Sequence, residues 1–183
     1  NVLRQFDWWM GISVLILVAF GFAAMYSVAL SQSLGEFLFV KKQAVALAIG
    51  LVLLLGCVAM NYRVLLSFSP HLYVVALLLL LGVLVFGETI RGTTGWFQFG
   101  GFNFQPVEFM KLALVLVLAR RFSGRRGSDL TWKEILITGG LTIIPALLVF
   151  LQPDLGTAFV LVATWGILLL FARISKRQIL TLL

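Results

Sequence analysis

Glu108 and Lys111 stand three residues apart in Gln105-Pro106-Val107-Glu108-Phe109-Met110-Lys111, which opens an otherwise apolar run. On a helix that spacing puts both charges on one face, where they can pair. Proline suits the first helical position, because the N–H it lacks would have no intrahelical partner there. With the helix opening at Pro106, Lys111 lies ~7 Å into it at a rise of ~1.5 Å per residue. A charge at mid-membrane costs ~3 kcal/mol even on insertion scales, so a buried pair here is a candidate for function. The spacing fits equally well a structural ion pair whose lysine reaches outward, and the residues alone leave both readings open.

A second Gln-Pro follows 47 residues later in Gln152-Pro153-Asp154-Leu155-Gly156. The pattern again predicts a helix opened by proline, with its acid in the first turn, where a carboxylate complements the helix dipole. Two such starts at one membrane face would set unpaired N–H groups and positive dipole ends in one layer, an arrangement suited to phosphate or pyrophosphate. Arg91 and Lys111 are the positive charges nearest that layer. Glu108 and Asp154 would repel a bare phosphate, so each needs a cationic partner or a shared divalent ion, Mg²⁺ or Mn²⁺. Between the motifs and the preceding span lies Glu88–Gln105, rich in glycine and aromatic residues. Six aromatics (Phe86, Trp96, Phe97, Phe99, Phe102 and Phe104) predict a loop lying on the membrane surface with Trp96 and several phenylalanines buried.

These residues are carried by a chain of 183 residues, 61% hydrophobic and 11% charged, with a mean hydropathy of +1.08. A soluble domain is nearer a quarter charged, so the composition defines an integral membrane protein. Cys57 is the one cysteine, which excludes a disulfide framework and a cysteine metal cluster. Spans follow from the gaps between charges, since ~20 mostly apolar residues cross the hydrocarbon. Asp7 to Glu36 leaves 28 uncharged residues, Lys42 to Arg63 leaves 20 and Arg63 to Glu88 leaves 24. The fold class expected is an all-α polytopic bundle in one membrane domain, with spans at 8–30, 43–60, 70–87, 106–121, 135–151 and 155–172 and an outer loop at 88–105. Residues 178–183 read as the start of a seventh span, so the sequence is expected to belong to a longer chain.

Orientation follows from the basic residues. A cytoplasmic N-terminus collects ten of the fourteen, including Arg63, Arg120, Arg121 and Lys133, on the inner side. Lys41, Lys42, Arg91 and Lys111 remain outside. The net charge of +7 is therefore a topology signal and a contact for anionic membrane lipids; no aromatic-interleaved basic surface points to nucleic acid. The single histidine, His71, is expected at the inner start of a helix, without a catalytic role.

The stretch Arg91-Gly92-Thr93-Thr94-Gly95-Trp96, continuing through Phe104-Gln105-Pro106-Val107-Glu108-Phe109-Met110-Lys111-Leu112, resembles the SEDS family (shape, elongation, division and sporulation), which includes RodA and FtsW. So do Gln152-Pro153-Asp154-Leu155-Gly156-Thr157, the opening Asp7-Trp8-Trp9 with Tyr26-Ser27, and Asn61-Tyr62-Arg63. The resemblance covers essentially the whole chain but only the family's first six of about ten helices. It implies a glycosyltransferase that links lipid II, an undecaprenyl-pyrophosphate disaccharide-peptide, into glycan strands at the outer face of the bacterial cytoplasmic membrane. It also implies a class B penicillin-binding protein as partner. The family's catalytic aspartate lies beyond the seventh helix, so no catalytic residue is carried over and this stretch is expected to be inactive alone. Trp96, Gln105, Glu108, Lys111 and Asp154 are carried over as functionally critical or substrate-binding, beside Arg91. Where relatives often have a basic residue before the tryptophan and serine after the first Gln-Pro, this chain has Gly95 and Val107. A flippase or transporter of the lipid-linked precursor, or a non-catalytic scaffold of the elongation or division machinery, are the alternatives.

Overall fold

The computed structural model describes residues 8–31, 37–90, 92–99, 102–123, 130–172 and 178. Arg91 and all but the first residue of the expected seventh span lie outside them. Six long helices form at the six expected places: α1 (Trp8–Ser31), α2 (Leu38–Ala59), α3 (Tyr62–Phe86), α4 (Pro106–Ser123), α5 (Trp132–Phe150) and α6 (Leu155–Phe171). Four of them, α1, α2, α3 and α5, are long and apolar enough to cross a membrane. With 17 residues α6 is shorter, and α4 carries Glu108, Lys111, Arg120 and Arg121 in its 18 residues.

Three helix starts differ from the sequence expectation, and α5 differs least, beginning at Trp132 rather than at 135. Helix α2 begins at Leu38 rather than at 43, which takes Lys41 and Lys42 into its first turns and off the loop expected there. Lysine is a good helix former, and its long stem lets the ammonium reach water from inside a span. Helix α3 begins at Tyr62 rather than at 70, because Asn61 caps it, its side chain accepting the Arg63 N–H at 3.0 Å. Pro70 therefore sits inside α3, with His71 beside it, and does not open the helix.

The chain falls into two compact units, residues 1–60 and 61–183. The first is the α1–α2 pair, whose Tyr26 and Phe37 rings lie 5.8 Å apart and whose side chains are mostly exposed. The second packs α3, α5 and α6 around α4. Val107, Met110, Leu114, Val117 and Leu118 recur at helical spacing along α4 and are buried against Tyr73, Ala76 and Leu80 of α3, Ala146 and Val149 of α5, and Ala158 and Leu161 of α6. Buried hydroxyls are satisfied locally: Thr138 donates to the Glu134 carbonyl at 2.7 Å and accepts from the Trp165 indole N–H at 3.1 Å.

The loop after α3 is not irregular, and the fold is not wholly helical. Glu88–Ile90 (β1), Thr93–Phe99 (β2) and Phe102–Phe104 (β3) make a small antiparallel sheet in the order β1-β2-β3. Glu88 faces Trp96 across the first pair, and Phe97 faces Phe104 across the second. Gly92 turns the chain between β1 and β2 with φ of 85°, a conformation open to glycine.

Candidate functional site

The sheet lies against α3 and α4 through β2. Phe97 packs its ring over Gly82 of α3; of the aromatics expected to include several buried ones, Trp96 and Phe97 are half-buried while Phe86 and Phe104 stay exposed. Gly95 is buried, and a Cβ there would come within 3.2 Å of Gln152 Oε1. Glycine is thus what lets the strand approach the α5–α6 turn.

Between the sheet and that turn lies a cavity of about 410 Å³, lined by Ile90, Thr93, Trp96, Asn103, Gln105 and Asp154. Three of the residues singled out in the sequence, Trp96, Gln105 and Asp154, meet there. Gln105 arrives because it directly precedes α4, its carbonyl accepting the Glu108 N–H at 3.1 Å. Asp154 arrives as the cap of α6, which corrects the expectation for the second motif: the helix begins at Leu155, and Pro153 lies in the turn before it. A carboxylate outside the helix can accept from the free N–H groups of the first turn, which a first-turn residue does less well. Asp154 Oδ1 accepts the Thr157 N–H at 3.0 Å and Oδ2 the Thr157 hydroxyl at 2.7 Å.

Glu108 and Lys111 form the expected pair, Lys111 Nζ lying 2.8 Å from both carboxylate oxygens. The pair is less buried than expected, for the Glu108 side chain is 60% exposed and that of Lys111 32%. Neither residue lines the cavity.

Thr93 and Asn103 are additions to the site, and the sequence held a signal for the strand that carries Asn103; Gln152 was in view only as part of the second Gln-Pro motif. Period-two alternation in Trp96-Phe97-Gln98-Phe99 and Phe102-Asn103-Phe104 around Gly100-Gly101 is a hairpin pattern. Gln152 is a polar residue at the end of an apolar helix, and it is 2% exposed. Among the described residues no group of three histidines, cysteines or carboxylates gathers that could hold a metal ion. Asp154 and Glu108 accept instead from Thr157 and from Lys111.

The cavity offers one carboxylate, two amides, one hydroxyl and an indole face. A multi-pass helical membrane protein with a small polar chamber at one end of its bundle is the class these features define. The chain belongs to the FtsW/RodA/SpoVE cell cycle protein family, whose model matches residues 7–183. It is 38% identical over 125 residues to peptidoglycan glycosyltransferase MrdB of Escherichia coli K12, covering 68% of this chain and 33% of that protein. It is 29% identical over 182 residues to the probable peptidoglycan glycosyltransferase FtsW of Bacillus subtilis 168, covering 92% of this chain and 44% of that one. Among solved structures, the rod shape determining protein RodA of Thermus thermophilus superimposes with a TM-score of 0.81 at 34% identity, over 96% of this chain and 56% of that chain. A chain from a peptidoglycan synthase complex that coordinates polymerization and crosslinking matches with a TM-score of 0.72 at 36% identity, over 86% of this chain and 45% of its own. The chain thus spans between a third and about half the length of these curated relatives.

Proposed function

We propose that the chain is part of a peptidoglycan glycosyltransferase that polymerises lipid II into glycan strands at the outer face of the bacterial cytoplasmic membrane. The activity is named for relatives in two bacteria, and the meeting of Trp96, Gln105 and Asp154 at one cavity is the observation that carries the reading here. The cavity's chemistry favours the sugar part of the substrate over its pyrophosphate. Amides and hydroxyls pair with neutral hydroxyl and N-acetyl groups, and an indole face covers the apolar face of a sugar ring. Among the described lining residues the one charged group is the Asp154 carboxylate.

On this reading Gln105 and Asn103 orient the sugar, Trp96 shields it from water, and Asp154 accepts hydrogen bonds from its hydroxyls without acting as a base. Both Asp154 oxygens already accept from Thr157, so the carboxylate is held in place by its own helix. The general base belongs to a part of the protein outside these residues. A class B penicillin-binding protein, which makes the crosslinks, is the partner we infer; similarity to a chain of a synthase complex supports it.

The test uses the full-length protein with purified lipid II. Trp96→Ala and Asp154→Asn should each lower polymerisation by ~10-fold or more, the loss of one good substrate contact, with folding intact. Normal polymerisation by both variants would overturn the assignment of the cavity. Normal polymerisation with impaired movement of lipid II across vesicles would favour the transporter reading instead.

A further inference from the structure

A second concavity lies at the other end of the four-helix unit. Its volume is about 570 Å³, and α3, α4 and α5 contribute Tyr73, Val74, Val117 and Leu141 to an apolar wall beneath Arg120 and Arg121. It is a distinct feature from the sheet-side cavity, since the 18 residues of α4 set its two ends roughly 27 Å apart at ~1.5 Å per residue.

Pro70, inside α3, lines this groove. A proline inside a helix donates no hydrogen bond to the carbonyl four residues earlier, here that of Leu66, and its ring pushes that turn apart. Ser69 donates its hydroxyl to the Leu66 oxygen at 2.8 Å. Arg120 Nη1 reaches over from α4 to the Ser67 oxygen at 2.8 Å and the Leu66 oxygen at 3.4 Å. These acceptors are uncharged, so among the described residues Arg120 forms no salt bridge, and its charge stands at the mouth of the groove. Arg121 is 2.9 Å from Glu134 Oε2 and is neutralised by it in part. With Arg63 and Lys133 at the same ends of α3 and α5, this is the basic end of the unit.

We propose that the groove binds one anionic phospholipid, with its phosphate at Arg120 and Arg121 and an acyl chain along Val74, Val117 and Leu141. Two facts favour this occupant. The groove joins an apolar wall to a cationic rim, as such a lipid does in reverse sign, and basic pockets between membrane helices hold anionic headgroups. Its wall is built in part by α3 and α5, which are long and apolar enough to cross a membrane, and Val74 on α3 is 53% exposed, so lipid is the solvent it meets. The proposal is independent of the glycosyltransferase reading.

Native mass spectrometry of the full-length protein, titrated with dioleoyl-phosphatidylglycerol and separately with dioleoyl-phosphatidylcholine, tests it. The glycerol lipid should bind more tightly, and Arg120→Gln and Arg121→Gln should each weaken it about fivefold. Glu134→Gln should strengthen it, because it frees Arg121. Val74→Trp, which fills the groove without changing charge, should weaken both lipids. Should Arg120→Gln fail to fold, the other three variants decide. Equal binding of the two lipids, or wild-type preference in Arg121→Gln and Glu134→Gln, would overturn the proposal. So would Val74→Trp leaving lipid binding unchanged, or unfolding the protein because another segment occupies the groove.

Discussion

Gln152, in the turn between α5 and α6, donates its side-chain amide to the carbonyl oxygen of Leu80 in α3, 3.4 Å away. The same side chain backs onto Gly95 of β2, so one buried amide joins two helices and the sheet that bounds the cavity. Gln152→Ala removes packing and a hydrogen bond together and should lower stability by ~1–3 kcal/mol. Unfolding of the full-length protein in detergent measures it, and an unchanged midpoint would show that the tie carries no weight.

Gly95 makes a graded prediction. Gly95→Ala sets a Cβ 3.2 Å from Gln152 Oε1, and a small shift of that amide absorbs it, at a cost of ~1 kcal/mol or less. Gly95→Val needs more room than the amide can yield and should lift β2 from the turn. Hydrogen exchange of the β2 amides should rise in the valine variant alone.

Asp154 has two roles that substitution can separate. Asparagine caps a helix as well as aspartate does, so Asp154→Asn should keep stability, whereas Asp154→Ala should cost ~1 kcal/mol. If polymerisation falls equally in both, the negative charge matters to the substrate; if it falls in alanine alone, the cap is the whole contribution.

The Glu108–Lys111 pair is well exposed on its acidic side. A double-mutant cycle on stability should therefore give a coupling below ~1 kcal/mol, as for other exposed helix pairs. A larger coupling would mean that the pair is shielded in the assembled protein.

Pro70 and Arg120 should be coupled. Pro70→Ala gives the Leu66 carbonyl back its helical N–H and weakens the longer of the two Arg120 contacts, so Arg120→Ala should cost ~0.5 kcal/mol less in that background than alone. Additive effects would separate the arginine from the proline.

The six helices were legible because long uncharged runs have few alternatives in a membrane. Their ends were less so, since counting from charge to charge treats Lys41, Lys42 and Arg63 as limits, whereas long basic side chains extend out of a helix they belong to. The sheet was missed for a different reason. Its aromatic content was read as affinity for a surface, and the alternation that makes Phe97 and Phe104 face one another was overlooked. Of the candidate site, spacing marked the two Gln-Pro motifs that hold Gln105 and Asp154, and the family resemblance marked those residues, with Trp96, as functional. Thr93 and Asn103 come to the cavity through strand register, which spacing along one chain does not reveal.

Helix α4 has the most buried residues of the four helices in its unit and the poorest qualifications as an independent span, with two charges near its start and two arginines at its end. A segment of that kind gains little on entering lipid by itself, where each charge near the centre is expensive. Its apolar stripe is complementary to α3, which precedes it and is long and apolar enough to enter alone. During synthesis α4 should therefore leave the translocon already docked on α3, so the order in which the helices emerge becomes part of how the protein assembles.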